Sequence, residues 1–352
     1  MSKSLRIALG ATLVVAAIVT VQMVALDTDA SLFLSFGEES TNTLAYGEER
    51  LGEVYVKPNL GHDGRLFYIA AHDPFILDPD VYETLFERPV YRAQRVLLPV
   101  LAAPALAVGE WPLVWWMLSL NVLAVGAGTY VTARLAEELG LSAWFGLAFV
   151  ANPGVFAEIN AGGSGAIAWA LAVAGILAYL RGRLGAAAAW LAAAALAREA
   201  MLLVALGLTV CYWLSRRRLA VQLLAAPVVA VAGWGVYVRL RLGEAIWASQ
   251  SREFDWPFLG FVEAAGEWWD RADPARALVA IVYVALAVRF VMLARSTGSV
   301  MGWAAGGFVA LIPFLSAVVW FDIWDISRAL LPMVTGLILL VGEETLRPDS
   351  RS

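Results

Sequence analysis

Apolar runs of roughly 18 residues or more recur along most of the chain, and a helix of that length crosses about 30 Å of hydrocarbon. The pattern predicts spans at 7–26, 113–135, 141–156, 166–180, 184–197, 201–214, 219–240, 275–294, 300–320 and 329–341. The run at 7–26 follows Lys3 and Arg6. It is longer than the 7–15 apolar residues of a signal peptide, so it reads as a retained first span with the N-terminus in the cytoplasm. Residues 27–91 break the pattern, carrying 13 of the 30 acids and four bases. They read as a large extracytoplasmic loop.

Residues 96–108 are apolar but short, and they contain Pro99 and Pro104. A segment of this kind is a poor spanner and reads as a re-entrant or interfacial helix. Parity supports that choice. If it does not cross, the basic connectors Arg181/Arg183 and Arg216–Arg218 both fall in the cytoplasm; if it does, both fall outside. The expected architecture is therefore an all-α polytopic membrane protein with about ten transmembrane helices. Its parts are a first span at 1–26, an extracytoplasmic loop with the interfacial helix at 27–110, a helical bundle at 111–343, and a cytoplasmic tail at 344–352. Further outer loops are expected at 241–274 and 321–327. Trp111, Trp115, Trp116, Trp247, Trp256, Trp268, Trp269, Trp320 and Trp324 fall near span ends, as an aromatic belt does.

Composition narrows the function. The 352 residues are 61% hydrophobic and 16% charged, which excludes a soluble globular protein. The net charge is −5, and the longest basic run is Arg216–Arg218, so nucleic acid is not an expected partner. A single cysteine, Cys211, excludes intrachain disulfides, cysteine-based zinc sites and iron–sulfur clusters. Two histidines exclude His-rich metal centres.

Polar groups in a membrane protein mark substrate, partner or water, and one cluster dominates: Gly61-His62-Asp63-Gly64-Arg65-Leu66-Phe67-Tyr68, then His72-Asp73-Pro74-Phe75, then Tyr91-Arg92-Ala93-Gln94-Arg95. Asp63 stands between glycines that permit a tight turn. Arg92 and Arg95 share a helix face and suit a phosphate held bidentately. The same residues have plainer readings: Asp63 as a turn residue, Arg92 and Arg95 as headgroup anchors, Arg328 as a partner of Asp325 one turn away. His62 and His72 read as local hydrogen-bonding residues, because no third zinc ligand is at hand.

The pattern Gly-x-Asp-Gly-x-x-Phe-Tyr, then Asp-Pro, then Tyr-Arg-x-x-Arg-x-Leu-x-Pro resembles the membrane-embedded glycosyltransferases of the GT-C superfamily, mannosyltransferase-like proteins among them. Asn152-Pro153-Gly154, Arg198-Glu199 and the late Asp325-x-x-Arg328-x-Leu330-x-Pro332 extend the likeness. The resemblance implies a catalytic aspartate at Asp63 and a polyprenyl-phosphate-linked sugar as donor. Many relatives carry an acidic pair in the second outer loop, whereas Glu158 stands alone here. Dependence on a divalent cation, Mg or Mn, is thus left open.

Chemistry leads to the same expectation. Attack on a sugar C1 needs a base near the acceptor hydroxyl and positive charge near the departing phosphate. Asp63 supplies the first; Arg92, Arg95 and Arg328 supply the second, with His62, Tyr68, Glu158 and Asp325 as candidate substrate-binding residues. A single displacement inverts C1. The expected function is an inverting glycosyltransferase in the cell membrane, acting on an extracytoplasmic glycan, lipid or protein acceptor. The alternative is a transporter or flippase of a lipid-linked or anionic substrate, for which charges in matching halves are expected. The one-sided polar inventory favours the enzyme.

Overall fold

The computed structural model describes residues 1–243 and 254–346. Trp247 and the end of the tail at 347–352 lie outside the described residues. Regular structure is almost entirely helical. Helix α1 (Lys3–Ala25) is capped by Ser2, whose side chain accepts from the Leu5 amide at 3.2 Å. It is apolar all round, yet only Ile7, Ala11, Val15, Val19 and their neighbours are buried. That four-residue spacing makes one ridge, and α1 lays it against a later long helix.

The polar stretch expected as a loop is itself built. Helices α2 (Thr41–Leu51), α3 (Asp63–His72), α4 (Pro79–Leu85) and α5 (Pro89–Arg92) follow one another. A two-residue parallel pairing of β1 (Phe36–Gly37) with β2 (Val56–Lys57) ties their ends. Arg65 in α3 anchors this layer. Its guanidinium donates to Ser40 Oγ at 2.8 Å, Thr43 Oγ1 at 3.1 Å, His62 O at 3.0 Å and Glu87 Oε1 at 3.1 Å. A buried cation that donates from all three of its nitrogens holds three chain segments in register.

The short apolar segment forms α6 (Leu97–Ala102) and a 3₁₀ turn at Ala103–Ala107. Its reach is at most about 20 Å, short of the hydrocarbon thickness. Helix α7 (Glu110–Glu138) is about 43 Å long and packs against α1. Residues 141–156 are not one rod. They form a 3₁₀ turn, α8 (Leu147–Val150), and the start of α9 (Pro153–Asn160), which Asn152 caps through its side chain and the Gly154 amide. Then come α10 (Gly165–Leu180), α11 (Leu184–Ala197), α12 (Leu202–Arg216) and α13 (Val221–Leu242).

The small faces of α10 and α11 let α7, α10, α11 and α13 stack in sequence. Past the undescribed residues lie α14 (Leu259–Asp270), α15 (Pro274–Thr297), α16 (Val300–Leu311) and α17 (Ala317–Phe321). The short connection expected at 321–327 is mostly helix: α18 (Ile323–Ala329) meets α19 (Leu331–Thr345) at a 64° bend. Pro332, at the start of α19, disfavours a continuous helix there.

By length and composition, five helices among the described residues are able to cross a membrane: Lys3–Ala25, Glu110–Glu138, Glu199–Arg216, Val221–Leu242 and Pro274–Thr297. The bent α18–α19 pair makes a sixth if the two helices form one span. The apolar helices Gly165–Leu180, Leu184–Ala197 and Val300–Phe314 are shorter. The chain is a helical membrane protein.

Candidate active site

The site begins where α3 begins. Asp63 occupies its first turn, where the helix dipole and free amides favour negative charge. The start of α3 is pressed onto the loop after α9, and the Gly64 amide donates to Ala161 O at 2.8 Å. A Cβ on Gly64 would meet Phe33 O, Leu34 O and the Gly162 Cα at 2.6–3.0 Å. Gly162 is itself at φ +61°. The glycine after Asp63 thus permits backbone to touch backbone, and it lies within a helix rather than a turn.

That contact carries Asp63 into a buried charged cluster. Asp63 is 8% exposed. Its Oδ1 accepts from Arg92 Nη1 at 2.5 Å and its Oδ2 from Arg328 Nη2 at 2.5 Å, with Arg95 Nη1 3.6 Å from Oδ2. Arg328 extends the cluster through Nε to Glu158 Oε1 (3.0 Å) and Nη1 to Asp325 Oδ1 (3.3 Å). Glu158, 1% exposed, also accepts from Arg198 Nη1 at 2.7 Å and from the Gly165 amide at 2.9 Å. Arg95 grips Glu199 with two hydrogen bonds of 3.1 and 3.0 Å and donates to the Tyr91 hydroxyl at 2.7 Å. Four arginines and four carboxylates therefore form one connected network.

The charges set each other's protonation. Burial alone would raise the Asp63 carboxyl, but Arg328, Arg92 and Arg95 together hold it well below the usual carboxylate range. Burial lowers the His62 imidazole, and the Arg328 charge adds to that. Lys57, whose Nζ donates to Ser35 Oγ at 2.8 Å and Asn160 O at 3.0 Å, is lowered to about 8 by burial and then by Arg328.

A narrow cleft of about 20 Å³ opens beside the cluster. Asp63, Arg92 and Arg95 form its polar end; Leu66, Phe67, Pro74, Phe86 and Pro99 form its apolar walls. Arg92 Nε is buried and has no hydrogen-bond partner. Val96 lines this cleft and also a wider apolar groove of about 540 Å³ between α6 and α13, walled by Phe75, Leu97, Val100, Trp234 and Tyr237. Trp234 Nε1 donates to Ala93 O at 2.7 Å and the Tyr237 hydroxyl to Phe75 O at 2.5 Å, fastening α13 to the groove's rim.

Of the residues singled out in the sequence, Asp63, Arg92, Arg95, Glu158, Asp325 and Arg328 converge in the cluster, and His62 caps α3 within its electrostatic reach. Tyr68 does not join them. It is fully buried, packs edge-on against Phe36, Tyr46 and His72, and donates from its hydroxyl to Glu110 Oε2 at 2.6 Å. Arg198, Glu199 and Lys57 had no assigned role in the sequence, and all three adjoin the site. The signal for Arg198-Glu199 was two adjacent charges directly after the apolar run of α11. Among the described residues no three His, Cys, Asp or Glu side chains gather as metal ligands. Asp63 and Glu158 both face guanidiniums, so the residues present do not fit a Mg or Mn ion. No family model, curated protein or solved structure matches the chain.

Proposed function

We propose that this chain is an integral-membrane glycosyltransferase of GT-C type that moves a sugar from a polyprenyl-phosphate donor to an extracytoplasmic acceptor, with inversion at C1. One observation carries the reading. A carboxylate is held among three arginines at the polar end of a cleft, and the cleft's wall continues into an apolar groove. A phosphate suits the arginines and a prenyl chain suits the groove. The unpartnered Arg92 Nε is a donor still to be satisfied.

In this reading the acceptor hydroxyl attacks C1 and its proton passes to Asp63. The C1–O bond to phosphate breaks, and the departing phosphate keeps the electron pair while Arg92, Arg95 and Arg328 balance its charge. A carboxylate clamped by three guanidiniums is a weak base. Donor phosphate competes for Arg92 and Arg95, loosens Asp63 and raises its proton affinity, so the donor activates the base and binds first. Lys57 and His62 stand within electrostatic reach of Arg328, and His62 also of Asp325 and Asp63.

The topology belongs to the same reading. The six longer spans, the helices Gly165–Leu180, Leu184–Ala197 and Val300–Phe314, and the broken 141–156 segment make ten crossings, with both termini cytoplasmic. Cysteine-accessibility labelling in a Cys211→Ser background tests it, and outside labelling of Arg217→Cys in intact cells would refute it.

The direct test of function is transfer by purified protein from a panel of radiolabelled polyprenyl-phosphate sugars, with the product's anomeric configuration determined. Inverted product supports the proposal. Movement of labelled donor between leaflets of proteoliposomes, without transfer, would assign the chain to the flippases instead.

A further inference from the structure

A second groove lies at the other end of α1, remote from the charged cluster. It has a volume of about 550 Å³ and is walled by Gly10, Ala11 and Val14 on α1 and by Trp144, Leu147 and Val150 on the facing turn and α8. Ligand-sized pockets run from about 300 to 1,000 Å³. The groove's rim is basic: Lys3 and Arg6 sit three residues apart on one face of α1. Lys3 Nζ is 5.7 Å from the centre of the Trp144 ring, a cation–π arrangement that fixes the ammonium over the groove mouth.

Neither cation has an acidic partner among the described residues. The carboxylate near this end of α1, Glu137, is taken by Ser4 Oγ at 2.9 Å and by Arg134 at 2.6 Å. The groove floor at Gly10 is open, since a Cβ built there meets nothing within 4 Å. From Lys3 to Val14 the helix rises about 16 Å, close to half of the roughly 30 Å hydrocarbon core. A charged mouth and an apolar trough one leaflet deep match one molecule with an anionic head and a fatty tail.

We propose that this groove binds a single anionic phospholipid, with its phosphate on Lys3 and Arg6 and one acyl chain along Gly10, Val14, Leu147 and Val150. The site is independent of the proposed glycosyl transfer. Two features set it apart from the ordinary lipid annulus: paired cations without acidic partners among the described residues, and an open recess of about 550 Å³ between α1 and α8. Basic pockets between membrane helices select acidic headgroups in this way.

Native mass spectrometry of the purified full-length protein tests it, using dioleoyl phosphatidylglycerol against dioleoyl phosphatidylcholine. One phosphatidylglycerol should be retained with a preference of about fivefold per cation, so about 25-fold for the pair. Lys3→Gln with Arg6→Gln should bring the two lipids to parity. Because those changes also remove an orientation signal, Gly10→Phe is the decisive variant: it keeps both charges, fills the trough, and should abolish the preference. Val14→Trp does the same from the far end if Gly10→Phe fails to insert. Equal retention of both lipids by the wild type, an unchanged preference in the trough-filling variants, or a dimer mass in place of the lipid adduct would each overturn the proposal.

Discussion

At the first residue of α3 a carboxylate meets three guanidiniums, while in the second half of the same helix a phenol and an imidazole one turn apart share one glutamate. Both ends are buried or half-buried, and both are hydrogen-bonded. They differ in how replaceable each contact is. At the far end Glu110 bonds Tyr68 and His72 on the same helix, one turn apart, so losing one leaves the other in place. At the Asp63 end the partners come from α5, the residues after it and α18, and each arginine but Arg92 also serves another acid. The far end fastens α3 to the start of α7. The near end holds charge at the polar end of a cleft.

The strongest way to break this contrast is Asp63→Asn. The variant should fold, because Arg95 keeps Glu199 and Arg328 keeps Glu158 and Asp325, yet lose transfer by about 10²–10⁴-fold. Asp73→Asn, whose carboxylate accepts only the Asp78 amide among the described contacts, should stay near wild type in the same assay. Glu158→Gln comes next. Removing a charge that Arg328 and Arg198 share inside the bundle should cost about 3–5 kcal/mol, read as a lower unfolding midpoint in detergent.

Arg92→Lys or Arg95→Lys keeps the charge but loses a two-point grip, and donor KM should rise about 10- to 100-fold. Tyr68→Phe sharpens the contrast from the other end. It should cost about 1 kcal/mol in stability and leave donor KM unchanged, whereas a shifted KM would give Tyr68 a substrate role after all. The smallest expected effect is a null. Since the Asp63 carboxyl is depressed, its stabilisation is full above the unfolded value near 3.9 and is lost only as pH falls through the lower folded value. The difference in melting point between wild type and Asp63→Asn should therefore be constant from pH 8 to 5; a difference that shrinks over that range would contradict the clamp.

The long apolar helices α1, α7, α13 and α15 were legible because an unbroken apolar run has one physical solution in lipid. The polar stretch was not legible as structure. Its helices are short, and what fixes them is tertiary: Arg65 reaching Ser40 and Glu87, and β1 meeting β2. For the site, Asp63, Arg92, Arg95 and Arg328 stood out as polar residues in suggestive company, but their pairing did not. Arg328 lies 265 positions from Asp63, and Glu199 lies 104 from Arg95, separations that no local period encodes. Tyr68 shows the opposite failure, since an aromatic beside a candidate base reads as a sugar platform until its hydroxyl is found on Glu110.

The same long separations act as a clock during synthesis. Asp63 and Glu158 are made well before Arg328, and at about 5–20 residues per second the wait from Asp63 is about 15–50 s. Until α18 emerges, Asp63 has only Arg92 and Arg95 for company, and Glu158 only Arg198. The bend between α18 and α19 then delivers the cation that joins both acids, so the site is completed only by a helix made 265 residues after Asp63. A chain interrupted before that point would carry half-neutralised acids, with Asp63 and Glu158 each short of the guanidinium they share.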